Sequence, residues 1–264
     1  MANSEPLSFW DHLEALRGVL LRIVAAVAIG AVVCFCFKDL LFNGVVLAPL
    51  SAEFPTYRLI ATLGRAFGLG TELSPIPLIN TGVTRQLFIH MTMSLWMAVL
   101  LTSPYTIYAL FNFVAPALYQ KERTIGTRLV GGAYGLFIVG VLVGYFIIFP
   151  VAFRFLATYQ VSASVQNLIT LQSYVDTLSA ITLLMGLLFQ LPIVCLLLAK
   201  AGIISAPLMS RYHRHALVAI LVVAAVITPT TDPFTLALVS IPIYLLYLLS
   251  IHLVARSTKK PVRT

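Results

Sequence analysis

The sequence LVGGAYGLFIVGVLVGYFIIF, Leu129–Phe149, contains no charged side chain. Its length is close to the roughly 20 apolar residues that a helix needs to cross a membrane. Two pairs of glycines, Gly131 with Gly135 and Gly140 with Gly144, have the spacing that allows helices to pack closely in a membrane. The stretch therefore predicts a membrane-spanning helix that packs against its neighbours.

The composition of the whole chain supports this interpretation. The 264 residues are 60% hydrophobic and only 10% charged, whereas a soluble domain is about half apolar and about a quarter charged. A net charge of +8 could indicate a nucleic-acid partner. Here the basic residues lie in short segments between apolar runs, so membrane topology explains them better.

Five further apolar runs predict five more spans, which gives an all-α polytopic membrane protein with six transmembrane helices. They are Val19–Phe37, Leu87–Phe111, Leu178–Ala199, Ala216–Thr228 and Phe234–Val254. The fifth span is short, and its helix would cover roughly 20 Å of a hydrocarbon core about 30 Å thick.

Lysine and arginine in the short loops predict the orientation. They concentrate before the first span, in the loops after spans two and four, and after span six. The positive-inside rule therefore places both termini in the cytoplasm. The first residues alternate apolar and polar faces at helical spacing, with Trp10 among the apolar ones, which predicts an N-terminal interfacial amphipathic helix that runs into span one.

We expect a single transmembrane domain over residues 1–254, followed by a basic cytoplasmic tail over 255–264. The long segment 38–86 is rich in proline and glycine and predicts a folded cap outside the membrane. Segment 150–173 predicts a second outer element.

The sequence lacks the motifs of common enzymes. It contains no P-loop, HExxH, GxSxG or CxxC motif. Its five histidines are scattered, so no metal site or cofactor is predicted. We therefore expect a protein that is not an enzyme, with function in the polar groups at membrane depth and at the membrane surfaces.

One such group is Glu122, which lies between two cations in the cytoplasmic stretch FVAPALYQKER, Phe113–Arg123. Topology explains the bases but not the acid. One interpretation is a local ion pair on a solvated loop. The other is a site for an incoming cation, in which Pro116 breaks the apolar run so that Phe113, Leu118 and Tyr119 form an apolar patch beside the carboxylate.

Glu14 is a second acid on the cytoplasmic side. It could pair with Arg17 at i,i+3 on a helix. Alternatively, two interfacial carboxylates next to aromatic side chains could receive two adjacent arginines from another polypeptide, because guanidinium binds carboxylate bidentately.

Several short motifs, taken in order, resemble the TatC family. They are HLEALR (His12–Arg17), APL (Ala48–Leu50), FVAPALYQKER, FP (Phe149–Pro150), FQLP (Phe189–Pro192) and TPTTDPF (Thr228–Phe234). Each is weak alone, but their order and spacing match over residues 7–254, nearly the whole chain. TatC-like proteins are the signal-recognition core of the twin-arginine translocase, which moves folded proteins across a membrane using the proton-motive force.

The resemblance implies a role for Glu14, Glu122 and Phe113 in binding the Arg-Arg pair of a signal peptide, with Arg17, Tyr119 and Pro116 around them. It also implies the partners: twin-arginine signal peptides of folded cargo, TatB-like and TatA-like single-span subunits, further copies of this chain and membrane lipid, but no nucleic acid. The location that it implies is the bacterial inner membrane.

Other polar positions have open alternatives. Gln190, where many family members have glutamate, is either an interhelical hydrogen-bonding residue or part of the polar lining of a concave face. Asp232 before Pro233 is typical of a helix N-cap, and the resemblance adds contact with the single-span subunits at this outer turn. Thr228 could contribute a polar group there, while Leu236 stands where the family often has glutamine.

Pro49 in the APL motif indicates that the first helix ends nearby. Two other functions remain as alternatives. A secondary transporter would need inverted repeats and several polar groups near the membrane midplane, and a passive assembly subunit would pair its loop acids locally.

Overall fold

The computed structural model describes residues 9–66, 76–118, 123–160, 162, 164, 167–227 and 232–258. Helices form nearly all of its regular structure. In chain order they are α1 Phe9–Cys36, α2 Pro55–Ala66, α3 Arg85–Leu118, α4 Arg123–Val143, α5 Phe149–Thr158, α6 Leu171–Leu188, α7 Leu191–Lys200, α8 Ala206–Arg211, α9 His213–Ile227 and α10 Pro233–Thr258.

The helices confirm the six predicted spans. Five segments of the described chain are long and apolar enough to cross a membrane: Leu13–Cys36, Arg85–Phe113, Leu129–Thr158, Leu171–Lys200 and Pro233–Ser257. The predicted fifth span lies in α9, which has only 15 residues and spans about 22 Å at 1.5 Å per residue. The short fifth span is therefore confirmed, and with six crossings both termini lie in the cytoplasm.

The N-terminal amphipathic segment runs into span one, as predicted. It is continuous with span one in α1, Phe9–Cys36. The sequence over this segment contains no proline and only one glycine, Gly18, in the 12 residues up to Leu20, so nothing in it ends the helix. Trp10 is 74% exposed at the cytoplasmic end, as expected for a side chain at headgroup level.

The outer cap begins after α1 with a π-helical segment, Leu40–Val46, and a 3₁₀ turn, Ala48–Leu50, which buries Pro49. Two tyrosine hydroxyls hold this irregular backbone against the bundle. Tyr145 donates to the carbonyl of Val45, and Tyr174 donates to the carbonyl of Val46, both at 2.6 Å. These bonds satisfy carbonyl groups that would otherwise lose water without a replacement.

Helix α2 is anchored to the outer end of the third span. Its Thr56 hydroxyl donates to the carbonyl of Phe146, and its Tyr57 hydroxyl donates to the carbonyl of Pro150 at 3.2 Å. The guanidinium of Arg154 lies 5.3 Å from the centroid of the Tyr57 ring. Burial raises the pKa of Tyr57 while the charge of Arg154 opposes the shift, so the phenol stays protonated and remains a donor.

The two outer elements are joined by a small parallel strand pair that the sequence did not predict. Strand β1, Leu78–Ile79, pairs with β2, Ile169–Thr170, and Leu78 lies opposite Ile169. Two-residue strands carry too little alternation for a pattern to reveal them.

Close packing in the centre of the bundle depends on one of the two glycine pairs. A Cβ on Gly140 would lie 2.5 Å from the carbonyl oxygen of Met185 and 2.8 Å from Cβ of Phe189, so α4 approaches α6 to backbone contact there. Gly144 is similarly tight. By contrast, a Cβ added to Gly131 or Gly135 would meet no heavy atom of another element within 4 Å among the described residues, so the packing role is seen for the second pair only.

We expect Gly140→Ala to lower the thermal stability of the purified protein, because overpacking a tight contact typically costs about 1–3 kcal/mol. Gly135→Ala is the matched control and should leave stability unchanged or slightly raised, since alanine favours helix. Thermal unfolding in the same detergent measures both. Equal melting temperatures for the two variants would contradict the packing described here.

Candidate functional site

Helices α1 and α3 run in opposite directions and bring two cytoplasmic ends together. At Gly30 of α1, an added Cβ would lie 3.3 Å from Cβ of Ala98 and 3.4 Å from Cγ2 of Thr102 on α3. Because α1 leaves the cytoplasm and α3 returns to it, this contact places the start of α1 beside the end of α3.

Glu14 and Arg17 lie on the cytoplasmic part of α1, and both are exposed. Their side chains form no ion pair with each other, so the local i,i+3 alternative for Glu14 is not seen. Within the described residues, the Glu14 carboxylate accepts no hydrogen bond and contacts no cation. At 3.6 residues per turn, Glu14 points about 160° away from the side of α1 that carries Gly30, so it faces away from α3.

Phe113 is half-buried near the cytoplasmic end of α3, where it borders a pocket with Val19 of α1. It thus shares an end of the bundle with Glu14 but lies on a different side of α1. The expectation that Pro116 ends the apolar helix is wrong, because α3 runs through Pro116 to Leu118. Glu122 and Tyr119 lie outside the described residues.

Gln190 lies at the break between α6 and α7, where Pro192 follows it. Its Nε2 donates to the backbone carbonyl of Ala133 on α4 at 3.0 Å, which is the interhelical hydrogen bond expected of such a residue. It also lines an apolar cavity of about 450 Å³ between α3, α4, α6 and α7. In that cavity Ser103 and Thr106 are the other polar residues among a majority of aliphatic and aromatic side chains. Gln190 therefore combines both roles that its sequence left open.

Asp232 is the N-cap of α10. Its Oδ1 accepts a hydrogen bond of 2.7 Å from the backbone N–H of Thr235, and Pro233 is the first helical residue. The buried hydroxyl of Thr235 has no hydrogen-bond partner among the described residues. Thr228 lies outside the described residues. Pro49 is buried in the outer cap, on the opposite side of the membrane from the cytoplasmic groups.

Sequence reasoning missed one polar pocket. It lies between α1 and α3, has a volume of about 230 Å³, and contains Arg22, Tyr105, Tyr108 and Asn112. Two sequence features could have revealed it. The three α3 residues recur at spacings of three and four, which places them on one face of a helix, and Arg22 is a charged residue inside a predicted span. Elsewhere in the described ranges, no group of three His, Cys, Asp or Glu side chains could hold a metal ion.

The family model for Sec-independent protein translocase protein (TatC) matches residues 11–242. The chain belongs to the TatC family. It is 32% identical over 259 residues to the TatC protein of Blattabacterium sp. subsp. Periplaneta americana (strain BPLAN), covering 96% of this chain and 97% of that protein. It is 33% identical over 250 residues to the TatC protein of Deinococcus radiodurans, covering 95% and 86%.

A solved structure has the same fold. The crystal structure of the twin arginine translocase receptor TatC superimposes with a TM-score of 0.76 at 29% identity, covering 94% of this chain and all of that one. This TatC-family chain is therefore a multi-pass integral protein of the bacterial inner membrane and part of the Sec-independent Tat translocase.

We expect Asp232→Ala to destabilise the protein by about 1 kcal/mol, the usual cost of losing an N-cap. Asp232→Asn keeps an oxygen that can accept from the Thr235 N–H and should stay close to the parent. Thermal unfolding in detergent compares the two. An asparagine variant as unstable as the alanine variant would show that the negative charge, and not the cap, is what matters.

Proposed function

We propose that this chain is the receptor and scaffold subunit of a twin-arginine translocase, and that it binds Arg-Arg signal peptides on its cytoplasmic face. The observation that carries the proposal is Glu14: an exposed carboxylate at the cytoplasmic end of α1, unpaired within the described residues. The passive-subunit alternative requires Glu14 to pair with a nearby cation, which would make the carboxylate unavailable to a peptide.

The charge arrangement suits a peptide that carries two adjacent arginines. Glu14 accepts one guanidinium, and Glu122, in the loop that follows α3, accepts the other. Each charge-assisted hydrogen bond contributes roughly 1.5–3 kcal/mol. Because Glu14 faces away from α3, we propose that the peptide passes around the cytoplasmic end of α1. Arg17 lies one turn from Glu14 on α1, and its guanidinium can donate hydrogen bonds to backbone carbonyls of the bound peptide.

The remaining proposed contacts are apolar. Phe113, with Pro116 and Tyr119 close along the chain, provides a surface beside the acids for the residues next to the arginine pair. The hydrophobic segment of the signal peptide then follows the bundle to the cavity lined by Gln190. That cavity is almost wholly apolar, which suits a hydrophobic helix, and the amide of Gln190 supplies a neutral hydrogen-bonding group within it. Export of the folded cargo then uses the proton-motive force.

TatA-like and TatB-like single-span subunits are the proposed partners, together with further copies of this chain. The outer turn from Thr228 to Asp232 and the short helix α9 are where they would dock. Phe234→Ala removes an aromatic side chain that is 39% exposed at this end of α10. It should reduce copurification of a TatB-like subunit, and undiminished copurification would argue against docking at this turn.

Glu14→Gln and Glu122→Gln should each weaken binding of a twin-arginine signal peptide about tenfold or more, because each removes one charge-assisted bond. Glu53→Gln is the matched control, since Glu53 is an exposed acid in the outer cap that pairs with Arg58. Fluorescence anisotropy of a labelled peptide with the purified, detergent-solubilised protein gives the three affinities.

A peptide with two lysines provides the second comparison, because ammonium cannot form the bidentate bond. We expect it to bind the parent more weakly than the arginine peptide does and to lose less affinity on either glutamine change, because each ammonium makes only a monodentate bond. Equal peptide affinity for the parent and the double variant Glu14→Gln/Glu122→Gln would favour a passive assembly subunit over a receptor.

A further inference from the structure

The pocket between α1 and α3 has a charge that does not suit an arginine-bearing ligand. Its cation is Arg22, which lies well inside the span Leu13–Cys36. Within the described residues, no carboxylate lies within ion-pair distance of this guanidinium. A charged group at this depth is costly unless it finds a partner or reaches the interface, so Arg22 calls for an explanation beyond topology.

Arg22 is directed toward the cytoplasmic surface. Its Nε donates to the backbone carbonyl of Gly18 at 3.0 Å, one turn closer to the start of α1. This places the guanidinium toward the headgroup region of the cytoplasmic leaflet. Because Nε makes that bond, the two terminal nitrogens of the guanidinium remain as donors toward the pocket.

Three neutral polar side chains of α3 border the same pocket: Tyr105, Tyr108 and Asn112. None of them forms a side-chain hydrogen bond within the described residues. Two phenol hydroxyls, an amide and a guanidinium together offer a set of donors with no negative charge among them. Such a set matches the oxygens of a phosphate group.

The seam between the two helices continues from the pocket as an apolar track. Ile29 lies seven residues beyond Arg22 on the same side of α1, and Leu101 lies one turn before Tyr105 on α3. Their side chains are 68% and 63% exposed. The site thus has a polar end at headgroup level and an apolar continuation into the membrane.

We propose that this pocket binds the phosphate-bearing headgroup of an anionic phospholipid of the cytoplasmic leaflet, with an acyl chain along Ile29 and Leu101. Basic pockets between membrane helices on the cytoplasmic side are suited to such headgroups. Free phosphate would not use the apolar track, and a twin-arginine peptide would meet the like charge of Arg22. The bound lipid fills the groove beside Phe113, next to the proposed peptide site, without using Glu14 or Glu122.

Native mass spectrometry of the full chain, released from detergent micelles, tests the proposal with dioleoyl phosphatidylglycerol as the probe. Arg22→Gln should weaken phosphatidylglycerol binding about tenfold, the loss expected for a charge-assisted bond. Arg211→Gln is the matched control, because Arg211 is an exposed base on the cytoplasmic helix α8. Tyr108→Phe, which changes no charge, should weaken binding about threefold.

Two further arms identify the ligand. Dioleoyl phosphatidylcholine should bind more weakly than phosphatidylglycerol and respond less to Arg22→Gln, since its headgroup has no net charge. Inorganic phosphate at millimolar concentration should not displace phosphatidylglycerol. The proposal is overturned if phosphatidylglycerol binds the parent and both pocket variants equally, or if phosphate displaces it.

A twin-arginine peptide gives the decisive alternative outcome. If Arg22→Gln abolishes peptide binding and leaves phosphatidylglycerol binding intact, the pocket belongs to the cargo and not to lipid. Because the lipid measurement does not involve Glu14 or Glu122, its failure would leave the proposed receptor function standing, and loss of peptide binding in the glutamine variants would not affect the lipid assignment.

Discussion

The close approach of α1 and α3 at Gly30 is the contact on which the cytoplasmic half of the molecule depends. A glycine there allows Ala98 and Thr102 to pack directly against the α1 backbone, as small residues do in membrane helix pairs. Two antiparallel spans held this closely must present their cytoplasmic ends side by side. Glu14, Phe113 and the Arg22 pocket therefore share one end of the bundle although they are far apart in the sequence.

The outer half obeys the complementary constraint that backbone polar groups need partners where water is excluded. The irregular cap after α1 meets it with hydroxyl groups from the bundle. Tyr145 and Tyr174 donate to consecutive carbonyls of the cap. In the other direction, the hydroxyl of Tyr57 in α2 donates to the carbonyl of Pro150 in the bundle. The apolar cavity lies beside the α4–α6 contact at Gly140, because Phe137 of α4 and Leu187 of α6 both line it.

Hydropathy and charge were sufficient to predict six spans, the short fifth span and the orientation, because each depends on properties summed over many residues. The family was predicted separately, from the resemblance of several short motifs taken in order. Hydropathy and charge could not separate Gly140, which is packed, from Gly135, which is open, since both have the same local spacing. Helical periodicity assigns residues to the faces of a helix but does not say which other helix each face packs against. Only the structure therefore shows that Glu14 faces away from α3 and that Tyr108 borders a pocket with α1. Pro116 misled the sequence reasoning, because α3 continues through it to Leu118.

The central claim is that the cytoplasmic ends of α1 and α3 together receive an arginine pair. Site-specific photocrosslinking tests it most directly, with the crosslinker placed in turn at positions 14 and 113 and, as a control, at position 35 near the outer end of α1. The account predicts that a signal peptide crosslinks at positions 14 and 113 but not at 35, and that replacing its two arginines by glutamine removes both crosslinks. Crosslinks at 14 and 113 that persist undiminished without the arginines would contradict it.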